Sequence, residues 1–145
     1  MRAVIQRVTK GQVSINETVT SAIKNGLVIL LGIQKGDSAE KADYLAKKIA
    51  NLRIFGDENE KMNLSLLDTG GKAIVVSQFT LLANTHKGNR PSFIEAAVPE
   101  IARPLVDSFI QKLGSFGIDA QSGEFGAHML VEIHNDGPVT ILMDV

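Results

Sequence analysis

The run Leu27-Val28-Ile29-Leu30-Leu31-Gly32-Ile33 has no polar side chain. A strand with one face in water alternates apolar and polar residues, so an unbroken apolar run needs cover on both faces. It predicts a central strand, entered through the turn pair Asn25-Gly26. The run is far too short to cross a bilayer. With 145 residues, 44% of them hydrophobic, the chain suits one domain spanning 1–145 with its own core, and leaves no room for two.

Other elements follow from local pattern. Ala3 to Val8 and Gln12 to Ile15 read as strands on either side of a turn at Lys10-Gly11. Asp37, with Glu40 three residues on, resembles a capping box opening a helix whose stripe is Ala42, Leu45, Ala46, Ile49 and Leu52. Arg53 to Phe55 reads as a short strand, Lys61 to Ser65 as loop, and Ala73 to Phe79 as a second buried strand. A late helix over roughly Ile101 to Phe116 turns Leu105, Phe109, Ile110 and Leu113 inward. Pro104 is awkward there, since an interior proline costs about 3 kcal/mol, so the helix is expected to start or kink at it. Ile118 to Gln121, Met129 to Asn135 and Val139 to Val145 complete the strands. The expected class is α+β, two main helices on a curved, mostly antiparallel sheet or barrel-like core.

Composition removes several chemistries. Without cysteine there is no disulfide, thiolate nucleophile or Cys-based zinc site. His86, His128 and His134 lack ligand spacing, Asp57, Glu58 and Glu60 lack the EF-hand pattern, and neither a Walker loop nor a Gly-rich dinucleotide fingerprint occurs, so no metal and no cofactor is expected. The formal net charge of −1 provides no global field for nucleic acid, so an RNA partner needs a local patch. Lys87-Gly88-Asn89-Arg90 is one small basic loop that could touch phosphates or simply be solvated. The N-terminal residues Met1 to Gln6 lack the apolar stretch of a signal peptide, and a cytoplasmic location without membrane attachment is expected.

Two stretches carry the functional signal. Ser77-Gln78-Phe79-Thr80-Leu81 ends an apolar run with two hydroxyls, an amide and a ring. A strand that ends and turns there can present consecutive N–H groups to an anion or a developing oxyanion, although polar residues at strand ends are common for plain structural reasons. Asn135-Asp136-Gly137-Pro138-Val139-Thr140 puts an Asp-Gly pair between two strand-like runs, which reads as a tight hairpin turn. Pro138 complicates that reading, because it removes a ladder donor where the next strand should begin. Neither stretch contains an acid–base pair, so catalysis here would fall largely to the backbone.

These two stretches resemble the signature motifs of the D-aminoacyl-tRNA deacylases. Further similarity runs through Ile5-Gln6-Arg7-Val8, Arg53-Ile54-Phe55, Lys61-Met62-Asn63, Arg90-Pro91-Ser92-Phe93 and Gly123-Glu124-Phe125-Gly126-Ala127, in order and over essentially the whole chain. Glu60, where such proteins often carry glycine, and His128, where an acidic residue is common, depart from the pattern.

The resemblance implies a homodimer that hydrolyses the ester of D-aminoacyl-tRNA, and glycyl-tRNA mischarged on tRNA(Ala), with tRNA and not DNA as partner. Ser77, Gln78, Phe79 and Thr80 would form the catalytic pocket for the terminal adenosine and ester. Gly137 and Pro138, joined by a cis bond and supported by Arg7, would reach into the other subunit's pocket and exclude L side chains. Thr80 as a covalent nucleophile ranks second, because the local sequence supplies no activating base. A synthetase-like editing domain for L-seryl-tRNA and a non-catalytic tRNA-end-binding dimer are the alternatives.

Overall fold

The computed structural model describes all residues from Met1 to Val145. The chain runs β1 (Arg2–Ile15), β2 (Thr18–Ile23), β3 (Gly26–Gly32), α1 (Ala39–Ala50), β4 (Phe55–Gly56), β5 (Met62–Leu64), α2 (Leu66–Thr69), β6 (Lys72–Ser77), a 3-10 helix (Phe79–Leu82), α3 (Pro99–Ser115), β7 (Ala120–Ser122) and β8 (Leu130–Asp144). The main sheet has the order β2-β1-β3-β6-β7, and β8 pairs with β1. The sheet is mixed. β1 is antiparallel to β2, β3 and β8, whereas β3–β6 and β6–β7 are parallel. The parallel pairs are those whose connections contain α1 and α3, the helical crossovers that parallel neighbours require.

The apolar run behaves as its composition demands. Leu27, Ile29 and Leu31 pack under the helices with Ala73, Val75, Leu45, Ile49, Phe109 and Leu113, and Val28 packs on the other face with Val8, Val13, Ile23, Ile74 and Val76. The second cluster lies inside a curved sheet that nearly closes on itself. β2 and β7 form no ladder, but the Ser21 hydroxyl donates to the Ser122 carbonyl and the Ala22 N–H donates to Gln121 Oε1 at 3.0 Å.

Several expectations change. Lys10-Gly11 is not a turn: β1 passes straight through it and the chain reverses at Asn16-Glu17, both with positive φ. Gly11 is there for space, since a Cβ would come within 2.7 Å of Val28 Cγ2. Asp37 does not cap α1. Ser38 occupies that position, while the Asp37 carboxylate accepts from the Gln34 N–H (2.7 Å), the Met1 amino group (2.8 Å) and Lys41 Nζ (3.2 Å). Leu52 lies beyond the end of α1. Residues 61–65, read as loop, contain β5 and the cap of a third, single-turn helix. The Ser65 hydroxyl accepts from the Asp68 N–H and the Asp68 carboxylate accepts from the Ser65 N–H.

α3 starts at Pro99, where a missing N–H costs nothing, and Pro104 lies inside it. Ala102, Val106, Phe109 and Leu113 form its buried stripe, with Leu105 and Ile110 half-buried beside it. No helix is long and apolar enough to cross a membrane.

Candidate functional site

β6 delivers the first motif to the edge of a cavity. The Gln78 N–H donates to the Leu31 carbonyl at 2.8 Å, the last link to β3, and the chain then winds into the 3-10 helix. Leu81 and Ala83 donate back to Gln78 and Thr80 at 3.3 and 3.1 Å. The N–H groups of Phe79 and Thr80, at the open start of the turn, have no partner within it. Arg2 holds the turn from below, donating from Nη1 to the Leu81 carbonyl at 2.9 Å while Nε and Nη2 pair with Asp144. The hydrogen bond that Arg2 donates to Asp144 raises its guanidinium above its already high value.

The cavity has a volume of about 620 Å³. Ser77, Gln78 and Phe79 form one wall, Phe93, Val98 and Ala102 another, and Phe125, His128 and Met129 a third. Its lining is mostly apolar with a few polar groups, and its size lies within the range for small-molecule sites, ~300–1,000 Å³. Phe79 is half-exposed and meets Phe93 edge-on, ring centroids 5.0 Å apart. Thr80 is outside the lining, and its hydroxyl accepts from Gln78 Nε2. An amide nitrogen donates but cannot take up a proton, so Gln78 cannot activate Thr80 as a nucleophile.

The second motif corrects the hairpin reading. β8 is one strand paired along β1 on both sides of Gly137-Pro138. Val8 faces Asn135 and Gln6 faces Thr140, so Asp136 to Val139 are pushed out of the ladder opposite Arg7 alone. Asn135 fastens the base of this bulge, its Nδ2 donating to the Arg7 and Val139 carbonyls, each at 2.9 Å. The Gly137-Pro138 bond is cis. Gly137 has φ +114°, and a Cβ on it would lie 3.0 Å from Arg7 Nη2 and 2.8 Å from Val139 Cγ2. Arg7 donates from Nη1 to the Ile54 carbonyl at 2.6 Å. Its Nε is 2.9 Å from Asp136 Oδ2, close enough for an ion pair, but off the N–H line, so it makes no hydrogen bond.

The structure therefore gathers Ser77, Gln78 and Phe79 at one cavity, and places Arg7, Gly137 and Pro138 elsewhere in the same chain. Arg2 touches the 3-10 helix and Arg7 touches the bulge. Five steps along one strand separate them by roughly 17 Å. No three His, Asp or Glu side chains converge in a way that could hold a metal ion. Phe93 and Phe125 belong to the cavity but stand among polar and glycine-rich neighbours whose letters carry no periodic signal.

Residues 4–144 match the family described as D-Tyr-tRNA(Tyr) deacylase. The chain belongs to this deacylase family. Among curated relatives, a D-aminoacyl-tRNA deacylase of Thermomicrobium roseum is 54% identical over 144 residues, covering 99% of this chain and 94% of the relative. One from Roseiflexus sp. is 58% identical, covering 99% and 93%. Among solved structures, the c-Myc DNA Unwinding Element Binding Protein superposes with a TM-score of 0.94 at 40% identity, over 100% of this chain and 99% of that one. A probable eukaryotic D-amino acid tRNA deacylase shares the fold, with a TM-score of 0.84 at 16% identity over 99% and 98%. At Gly137 the family resemblance coincides with unusual backbone geometry, a cis bond and φ +114°.

Proposed function

We propose that this chain hydrolyses the ester joining a D-amino acid to the 3′ end of tRNA, releasing the free D-amino acid and tRNA. The observation that carries the reading is the apolar cavity walled by Ser77, Gln78 and Phe79, with the N–H groups of Phe79 and Thr80 at the open start of the adjoining turn. The cavity receives the terminal adenosine and its ester. A water oxygen attacks the ester carbonyl, its C=O electrons move onto oxygen, and the two N–H groups stabilise that charge. Collapse breaks the carbonyl–ribose oxygen bond, and the ribose oxygen takes up the proton the water loses. Removing one such donor costs about 2.7–4 kcal/mol of barrier in enzymes that use them. Gln78 cannot take up a proton, and the substrate's own 2′-hydroxyl orients the water.

Chirality is selected by exclusion. In a homodimer, the Gly137-Pro138 bulge of one chain closes the cavity of the other and leaves no room for an L side chain, while glycine on tRNA(Ala) passes. Two features support a shared site: Gly137 and Pro138 are absent from the lining of their own chain's cavity, and the outer edge of β8 is free, with Leu130 and Leu142 exposed. Long uncovered edges invite pairing or cover by a partner. The test is paired hydrolysis of D-Tyr-tRNA and L-Tyr-tRNA by the purified protein. Turnover of the D substrate alone is expected. Equal rates on both, or turnover of L-seryl-tRNA with none of the D substrate, would overturn the reading.

A further inference from the structure

Beside the cavity stands a small hairpin. Asn84 N–H donates to the Ser92 carbonyl at 2.8 Å and Ser92 N–H to the Asn84 carbonyl at 2.9 Å, fastening its neck. Asn84 Oδ1 also accepts from the His86 N–H at 3.0 Å. The enclosed residues, Thr85 to Pro91, include His86, Lys87 and Arg90 and no carboxylate; the first acid after them is Glu95, beyond Phe93. Lys87 and Arg90 are exposed and, like seven other Lys and Arg residues, have no acidic partner.

The position of the hairpin gives these charges a direction. Ser92 ends the neck and the next residue, Phe93, lines the cavity and packs on Phe79. Arg90 is three residues from Phe93, so their backbones are no more than about 10 Å apart. Lys35 is on the neighbouring link, where its N–H donates to the Glu95 carbonyl at 3.0 Å and Gln34 bridges Ala96. In a chain of net charge −1, the 85–91 segment thus carries two cations and no carboxylate.

We propose that the 84–92 hairpin, through Lys87 and Arg90, holds the phosphodiester backbone of the single-stranded 3′ end of tRNA, at the nucleotides just before the terminal adenosine. The inference rests on the reading that the cavity takes that adenosine. The hairpin supplies affinity and leaves the chemistry to the cavity. Phosphate contacts position a nucleic acid without reading its bases, so the grip is indifferent to which tRNA is bound.

The experiment compares wild type with a Lys87→Gln/Arg90→Gln double variant on D-Tyr-tRNA and on D-tyrosyl-adenosine, the same ester without phosphates. Binding of uncharged tRNA is measured across 50–200 mM salt. On D-Tyr-tRNA, KM rises on the order of tenfold with kcat unchanged, and the nucleoside ester is hydrolysed as by wild type. Each single-strand contact contributes about 0.7 to the log–log salt slope, so the variant's slope is shallower by about 1.4, and wild-type affinity falls about sevenfold more across that salt range. Lys87→Arg/Arg90→Lys restores the wild-type slope. An unchanged slope, or equal losses on both substrates, overturns the proposal. Should wild type turn over neither substrate, the deacylase reading fails, while the tRNA salt slopes still decide the role of the hairpin.

Discussion

Two residues show how much rests on single side chains. The Asp37 carboxylate is 1% exposed and joins three elements: it accepts from the Met1 amino group, the Gln34 N–H and Lys41. Removing one partner of a buried pair strands the other, at about 3–5 kcal/mol. Asp37→Ala is expected to lower unfolding free energy by that amount in urea titrations at fixed protein concentration. Gly137 is constrained by both conformation and space. At φ +114°, a side chain is strained, and its Cβ would press on Arg7 and Val139. Backbone strain of this kind costs about 1–3 kcal/mol. Gly137→Ala is expected to lose that much stability and to displace the bulge, so that D-over-L discrimination falls. Unchanged discrimination would detach the bulge from selectivity. Glu60 adopts φ +60°, the left-handed conformation that glycine reaches without penalty.

Among the elements, four acidic groups tie stability to pH, Glu40 beside Ser38 at the start of α1 being one. Asp57 accepts from the N–H groups of Asn59 and Lys61 and from Asn63, which holds its carboxyl below the usual range. The Ser65 hydroxyl and N–H do the same for Asp68 at the start of α2, and a hydrogen bond from Lys72 does so for Asp119 between α3 and β7. A carboxyl with a depressed folded-state pKa stabilises the fold above its unfolded value, near 4, and loses that contribution as pH falls through the folded value. Thermal stability is therefore expected to decline below about pH 4. Asp57→Asn and Asp68→Asn should each make the decline shallower, and parallel curves for variant and wild type would refute the assignment. α2 was legible in principle, because Ser65-Leu66-Leu67-Asp68 is a capping-box pattern, but a single turn has too little apolar period to announce itself. Central β3 was legible because two-sided burial leaves an unbroken apolar run.

For the assembly, the sheet leaves two loose ends, the outer edge of β8 and the gap between the two motifs. The proposed dimer would cover the one and bridge the other. Sedimentation at micromolar concentration is expected to give twice the 15.6 kDa of one chain. A monomer that retains D-specific turnover would show that one chain selects chirality unaided.

Local chemistry determined much of this protein. Apolar runs marked β3 and β6, apolar period marked α1 and α3, the missing cysteines removed thiolate chemistry, and the Ser77–Thr80 and Asn135–Thr140 stretches carried the family resemblance. Long-range pairing determined the rest. Whether Asp136-Gly137 reverses the chain or bulges from it depends on β1 remaining as partner on both sides, and β1 is more than a hundred residues away in sequence. That Asp37 does not cap α1 goes with its bond to the Met1 amino group, packed against it only once β1 and α1 meet. The energies of such contacts depend on which groups the fold brings together, and neighbours in sequence carry no record of that.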